Sequence, residues 1–164
     1  MQLEIEELNA EAFSPFGKVI EKPERHQDAE GPGWKWWGEN VLLEGEGRPY
    51  AVGYLYLEPA ELVFDWAERH MLSDELVIPV GGDALVYVAP PDFPTEPGRL
   101  PSLQSFRVFR VREGQAALFG KGVWHGAPLA VDGPVKAIVL LLQHSGIQDG
   151  YVVRFEDTPL RIAN

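Results

Sequence analysis

The stretch Glu68-Arg69-His70-Met71-Leu72-Ser73-Asp74-Glu75 and the later stretch Gly120-Lys121-Gly122-Val123-Trp124-His125 decide the fold prediction. Residues i and i+2 of a β-strand face the same side, so Glu68 and His70 are expected to point toward one face of a sheet. The second stretch brings in another histidine from far along the chain.

The distribution of glycine and proline along the rest of the chain is typical of an all-β protein. Its 17 glycines and 14 prolines divide it into short pieces. The runs between them are rich in Val, Ile, Tyr, Phe and Leu and have the length of strands. These predicted strands are residues 50–57, 75–80, 84–89, 105–111, 115–119, 135–142 and 151–155.

The connections between the strands are also predicted from the sequence. A short N-terminal helix is expected after Asn9 as its N-cap, ending before Pro15. Gly81-Gly82-Asp83 and Glu113-Gly114 are typical of tight turns between neighbouring antiparallel strands. Residues 22–38 and 90–101 are predicted loops, and a strand is preferred to a helix for the residues that lead into Glu68.

Length and charge limit the class of protein. A chain of 164 residues suits one domain spanning residues 1–164. It has no cysteine, which excludes a disulfide framework, a thiolate zinc site and a cysteine nucleophile. A formal net charge of −11 argues against nucleic acid or an anionic membrane as a partner. The acidic start lacks the features of a secretory signal, and the longest apolar run, residues 137–142, is too short to span a bilayer, so a cytoplasmic protein is expected.

Glu68, His70, Glu75 and His125 are the candidate catalytic residues. Two imidazoles and one or two carboxylates suit a divalent metal ion such as Fe, Mn, Ni or Zn. Without a cation, two carboxylates and two imidazoles in one place would be unfavourable, so they would bind either protons or metal. Two alternatives remain: a metal-free site that exchanges protons with a substrate, and a hydrogen-bonded polar group inside a barrel.

Three further residues are candidates for substrate binding. Lys121 and Arg107 are basic residues that could clamp a substrate carboxylate, although a solvated position is the ordinary one for such side chains. Trp36 belongs to a glycine- and tryptophan-rich segment, residues 31–38, that would cover the mouth of the barrel, plug one end of the core or form a dimer contact. The apolar surface of this segment and of the N-terminal strand predicts a homodimer.

Both stretches resemble the two motifs of the cupin superfamily. The first motif corresponds here to Glu68-x-His70-x4-Glu75-x6-Gly82, and the second to Gly114-x5-Gly120-x-Gly122-x2-His125. Glu68 stands where the first histidine of the superfamily usually lies, Gly120 replaces a proline, Leu129 replaces the final asparagine, and the leading glycine of the first motif is absent. The resemblance implies a cupin-like double-stranded β-helix, a jelly-roll barrel with a short N-terminal helix. The pairing of the two motifs in that fold also implies that the side chains of His70 and His125 lie close together.

The whole chain is also similar to the ureidoglycolate lyase family, a cupin-like branch of allantoin degradation. The similar segments are residues 8–20, Glu68-Arg69-His70, Ile78-Pro79, Val123-Trp124-His125 and Pro128-Leu129. The chain departs from the family at residues 28–40, where the family carries an Asn-Gly and an Arg-Tyr pair, and at Glu75, where glutamine is expected.

This second resemblance implies an enzyme that splits ureidoglycolate, or a related small α-hydroxy acid, into glyoxylate and urea. A metal held by His70, Glu75 and His125 would chelate the hydroxy acid, and Glu68 would be a fourth ligand or a proton shuttle. The altered tryptophan-rich segment keeps two other functions open. One is a small-molecule-binding cupin without turnover, and the other is a different metal-dependent cupin enzyme, an isomerase or a dioxygenase.

Overall fold

Strands make up nearly all of the regular structure in the computed structural model, which describes residues 1–43, 45 and 47–163. The strands are β1 (Gln2–Leu3), β2 (Ile5–Glu7), β3 (Gly17–Ile20), β4 (Ala29–Gly31), β5 (Trp34–Trp36), β6 (Tyr50–Leu57), β7 (Val63–Phe64), β8 (Trp66–His70), β9 (Glu75–Val80), β10 (Ala84–Ala89), β11 (Arg107–Val111), β12 (Ala116–Phe119), β13 (Trp124–His125), β14 (Leu129–Ala130), β15 (Val135–Leu142), β16 (Gly150–Arg154) and β17 (Leu160–Ile162). The helices are α1 (Ala10–Phe13), α2 (Ser145–Gln148) and a 3-10 turn at Leu103–Ser105. Within this part of the chain, no helix has the length and apolar character needed to cross a bilayer.

Two sheets carry most of these strands. The larger sheet has the order β16-β8-β13-β10-β11-β2, with β14 also paired to β10, and the smaller has the order β3-β12-β9-β15-β6. From β8 onward the chain alternates between them: β8 is in the larger sheet, β9 in the smaller, β10 and β11 in the larger, β12 in the smaller and β13 in the larger. This alternation is how a jelly-roll barrel winds. The predicted all-β, cupin-like double-stranded β-helix is therefore confirmed.

The core lies between the sheets and extends to the N-terminal helix. Asn9 caps α1 as predicted, since its side-chain oxygen accepts a hydrogen bond from the backbone N–H of Ala12 at 2.9 Å. The cap directs Phe13 inward, where it is fully buried and meets the ring of Phe109 edge-on at a centroid distance of 5.2 Å. Val77 and Val139 from the smaller sheet belong to the same buried cluster.

The predicted glycine turns exist, but they do not join hairpins. Gly81 and Gly114 have φ values of 82° and 93°, which a side chain would strain. β9 and β10, however, lie in different sheets, and so do β11 and β12. The prediction that these turns connect neighbouring paired strands was therefore wrong. Each turn instead takes the chain from one sheet to the other.

The two predicted loops differ in outcome. Residues 22–38 are not wholly a loop, because β4 and β5 pair in antiparallel register and form a hairpin. Residues 90–101 contain no helix or strand, as predicted. They are held by the fully buried side chain of Arg69, which donates hydrogen bonds of 2.7–3.2 Å to the carbonyl oxygens of Asp92, Phe93, Glu96 and Pro97.

Replacing Arg69 by methionine should destabilise the protein by about 2–4 kcal/mol, because four buried or partly buried carbonyls lose a charged donor. Arg99→Met is the matched control, since the exposed Arg99 in the same loop pairs only with Glu96 and with the Phe93 ring. We expect a change below about 1 kcal/mol there. Urea unfolding of both variants measures the difference, and equal losses would contradict the anchoring role of Arg69.

Candidate active site

Four polar side chains converge between the two sheets. We call them the acid–imidazole cluster: Glu68, His70, Glu75 and His125. Glu68 and His70 lie on one face of β8, and His125 on β13 pairs directly with Glu68 in antiparallel register. Residues opposite each other in such a pair share a face of the sheet. Glu75 is the first residue of β9 and approaches from the facing sheet.

Glu75 is the common neighbour of both imidazoles. Its Oε2 lies 3.3 Å from Nε2 of His70 and 3.3 Å from Nε2 of His125. The contact to His125 lacks hydrogen-bond geometry and is a close approach of charges. The two imidazole centroids are 5.5 Å apart, although the residues belong to distant parts of the chain. The expected proximity of His70 and His125 is confirmed.

Neighbouring groups fix the orientation of the His125 ring. Nδ1 of His125 lies 2.9 Å from the carbonyl oxygen of Val123, to which it donates, so Nε2 is the atom turned to the cluster. The ring of Phe119 packs against His125 at 4.8 Å. The carbonyl of His70 accepts a hydrogen bond of 2.7 Å from Gly122, which joins the two quoted stretches through their backbones.

The neighbouring groups shift the pKa values of Glu75 and His125 in opposite directions. Burial alone would raise the pKa of Glu75, but the close contacts with the imidazoles of His125 and His70 outweigh it and lower that pKa to about 2. Burial opposes the charged form of His125, yet the facing Glu75 and the Val123 carbonyl raise its pKa above the usual value. Glu75 is therefore a persistent anion at neutral pH.

The donor set fits a divalent metal ion. The ligand atoms of Glu68, His70 and His125 all lie within 4.8 Å of one another, and the Glu75 oxygen lies against both Nε2 atoms. A histidine whose second ring nitrogen donates to a backbone carbonyl is the usual arrangement of a metal ligand, and His125 has it. Nε2 is the ring atom of His70 that meets the cluster, and its buried Nδ1 has no hydrogen-bond partner among the described residues.

A cavity of about 280 Å³ opens beside the cluster. Glu68, His70 and Glu75 form its polar side. The remaining wall consists of Gly53, Tyr54, Leu55, Gly126, Ala127, Pro128, Val139, Leu141 and Gly146. No lysine or arginine is among the described residues that line it. An anionic ligand in this cavity would consequently take its positive counter-charge from a protonated imidazole or a bound cation.

The structure does not bring the three candidate substrate-binding residues to this cavity. Arg107 donates to the Glu6 carboxylate and to the carbonyl of Ala12 at 2.9 Å, so it ties the N-terminal segment to β11. Lys121 is exposed in the turn before β13, and its backbone N–H donates to Asp74 at 3.1 Å.

Trp36 lies in the β4–β5 hairpin with 60% of its surface exposed. It borders a separate shallow depression of about 690 Å³ together with Arg25, Asp28, Gly38 and Glu39. That depression is larger than the cavity beside the cluster but contains no histidine and one ion pair, Arg25–Asp28, that is already satisfied within it. We therefore place the candidate active site at the smaller cavity.

Two parts of the site were not predicted from the sequence. One is the apolar wall supplied by β6 and β15. The available signal for it in the sequence was Gly53, a glycine in the middle of the predicted strand 50–57. The other is Asp149, whose buried carboxylate accepts hydrogen bonds from the backbone N–H groups of Met71 at 3.0 Å and Leu72 at 2.8 Å. Asp149 thereby holds the turn that separates His70 from Glu75. Nothing in its sequence context indicated this role.

The family model and the curated relatives point to the same family. A family model described as ureidoglycolate lyase matches residues 1–162. The ureidoglycolate lyase of Brucella anthropi is 29% identical over 98% of this chain and 94% of its own length. That of Rhodobacter capsulatus is 30% identical over 80% of this chain and 82% of its own length. Among solved structures, a dTDP sugar isomerase from Desulfovibrio desulfuricans G20 is 18% identical, with a TM-score of 0.47 over 85% of each chain.

Proposed function

The chain belongs to the ureidoglycolate lyase family, and from this premise we propose that it cleaves ureidoglycolate into glyoxylate and urea at the acid–imidazole cluster. The observation that carries the proposal is the approach of one Glu75 oxygen to both imidazoles at the polar end of a cavity. The cavity has the size for a small molecule. The predicted partner, a small-molecule substrate, fits this site.

The reaction needs one proton to move within the substrate. The hydroxyl on the central carbon loses its proton, the bond from that carbon to the ureido nitrogen breaks with its electron pair going to nitrogen, and that nitrogen gains the proton. The products are glyoxylate and urea, with no net uptake of water. One residue that accepts the proton and returns it is sufficient for the cycle.

Glu68 is the residue that we assign to this proton transfer. Glu75, with its pKa near 2, is a weak base and serves better as a fixed anion. Glu68 lines the cavity and is only partly buried, so its carboxylate is accessible to a bound substrate. It takes the hydroxyl proton and then donates it to the departing nitrogen.

We assign a divalent metal ion to His70, Glu75 and His125, with Glu68 beside them. When bound, the ion supplies the positive charge that the cavity wall lacks and lowers the pKa of a substrate hydroxyl. The residues themselves bind and orient the hydroxy acid and hold the proton at Glu68. Ni, Mn, Zn and Fe(II) all suit this donor set.

The purified protein, supplied with a divalent metal, should release glyoxylate from ureidoglycolate. Glu68→Gln should lower kcat by about 10²–10⁴, because the amide keeps the shape and loses the proton acceptor. Glu61→Gln is the matched control, since Glu61 is exposed at the surface and its carboxylate pairs with Arg161. Absence of glyoxylate release by the wild-type protein would refute the proposed activity, and full activity of Glu68→Gln would refute the role of Glu68.

We also propose a homodimer. The N-terminal strands β1 and β2 also lie at sheet edges, but their apolar residues Leu3 and Ile5 are only partly exposed. Exposed apolar side chains instead lie on the β4–β5 hairpin and on the outer side of β6, where Val52, Tyr54 and Tyr56 are 71%, 61% and 58% exposed. β6 is also the edge strand of its sheet. Such a surface is typical of an interaction site. The cytoplasmic location stays a prediction.

Sedimentation at micromolar concentration should give twice the chain mass of 18.3 kDa. Tyr54→Lys together with Tyr56→Lys should shift the protein toward the monomer, because two lysines on each face would repel their counterparts across the interface. A wild-type mass near 18.3 kDa would contradict the dimer.

A further inference from the structure

Gly53 occupies the middle of β6 and lines the cavity beside the cluster. Its neighbours Val52 and Tyr54 are exposed on the outer face, whereas Leu55 packs against the core on the inner face. Gly53 therefore stands at an inward position. Glycine weakens the interior of a strand, because it has more freedom to lose on folding and no side chain to pack. Its presence here needs a physical reason.

Neither the backbone nor the packing supplies that reason. Gly53 lies within a regular strand and its φ is not in the left-handed region. A Cβ atom added to it would lie 3.6 Å from the carbonyl oxygen of Val139 and 3.8 Å from the Val139 Cβ, which are ordinary contact distances. The structure would accept a side chain at position 53.

Gly126, another glycine of the cavity wall, shows the contrast. A Cβ added there would lie 1.6 Å from the hydroxyl oxygen of Tyr87, which is itself buried and donates to the carbonyl of Trp66. Packing alone explains that glycine. The space beside Gly53 has no such occupant from the described part of the chain, and it is continuous with the cavity.

We propose that Gly53 determines substrate specificity, because its missing side chain leaves the room that the substrate occupies beside the cluster. The substrate class rests on the proposed function: a small 2-hydroxy acid with a substituent on carbon 2. When the cluster holds the hydroxy acid group, the substituent extends along the wall of Gly53, Val139 and Leu141. The size of the side chain at position 53 limits the size of that substituent.

The test compares Gly53→Ala and Gly53→Val with the wild-type protein. Gly53→Val should raise the KM for ureidoglycolate roughly 10–200-fold, the effect of one or two misfitting methyl groups, and Gly53→Ala should raise it less. The unfolding temperature of both should stay equal or rise by about 1–4 °C, since a strand glycine is replaced. Gly98→Val is the matched control, because Gly98 lies outside the cavity with no atom within 4 Å of an added Cβ, and its KM should not change.

Thermal stabilisation by glycolate, lactate and 2-hydroxybutyrate gives a readout that does not depend on turnover. The metal-loaded wild-type protein should be stabilised by all three acids, and Gly53→Val by glycolate but progressively less by the larger two. Equal stabilisation of both proteins by every acid would overturn the inference. So would a loss of stabilisation of Gly53→Val by glycolate as large as its loss by the two larger acids. So would a fall in unfolding temperature with an unchanged KM, which would assign the glycine to strand packing.

The two proposals can fail separately. Suppose that the wild-type protein releases no glyoxylate, but that the larger acids stabilise Gly53→Val less than they stabilise the wild type while glycolate stabilises both. The proposed activity is then wrong and the role of Gly53 stands. If glyoxylate is released and the KM of Gly53→Val is unchanged, the activity stands and the role of Gly53 is wrong. If no acid stabilises the wild-type protein, the inference about Gly53 is overturned.

Discussion

The contact between one Glu75 oxygen and two imidazoles is the interaction on which the site depends. Burying a carboxylate between two sheets is unfavourable unless opposite charge or hydrogen-bond donors accompany it. The facing imidazoles of His70 and His125 keep Glu75 ionised against the effect of its burial. The three residues come from β8, β9 and β13, so the contact forms only when the larger and the smaller sheet face each other correctly. The contact therefore links the position of the polar site to the packing of the two sheets.

The sequence was sufficient for those parts of the structure that short-range rules determine. Strand alternation placed Glu68 and His70 on one face, and the preference of asparagine for helix caps located α1. The two stretches with superfamily spacing predicted that His70 and His125 meet.

The parts that sequence reasoning missed depend on partners distant in the chain. Arg107 is a basic residue on a strand, as a substrate clamp would be, yet Glu6 and the Ala12 carbonyl occupy its guanidinium. The sequence does not state which acceptor a basic side chain will meet. The glycine turns at Gly81 and Gly114 were recognised from composition, but whether a turn joins two strands of one sheet or crosses to the other is set by packing. The apolar wall of the cavity likewise arises only when β6 lies beside β15.

The most direct test of the account is a calorimetric titration of the metal-free protein with a divalent ion, carried out on the wild type and on Glu75→Gln. The amide keeps the shape of the side chain and removes the anion that joins both histidines. The account predicts that the metal affinity falls by more than the ~10–100-fold typical of changes outside the ligand set, with the fold intact by circular dichroism. Glu61→Gln, altered at the surface, should bind as the wild type does. Unchanged metal affinity in Glu75→Gln would contradict the assignment of Glu75 as a ligand and leave proton transfer as the function of the cluster.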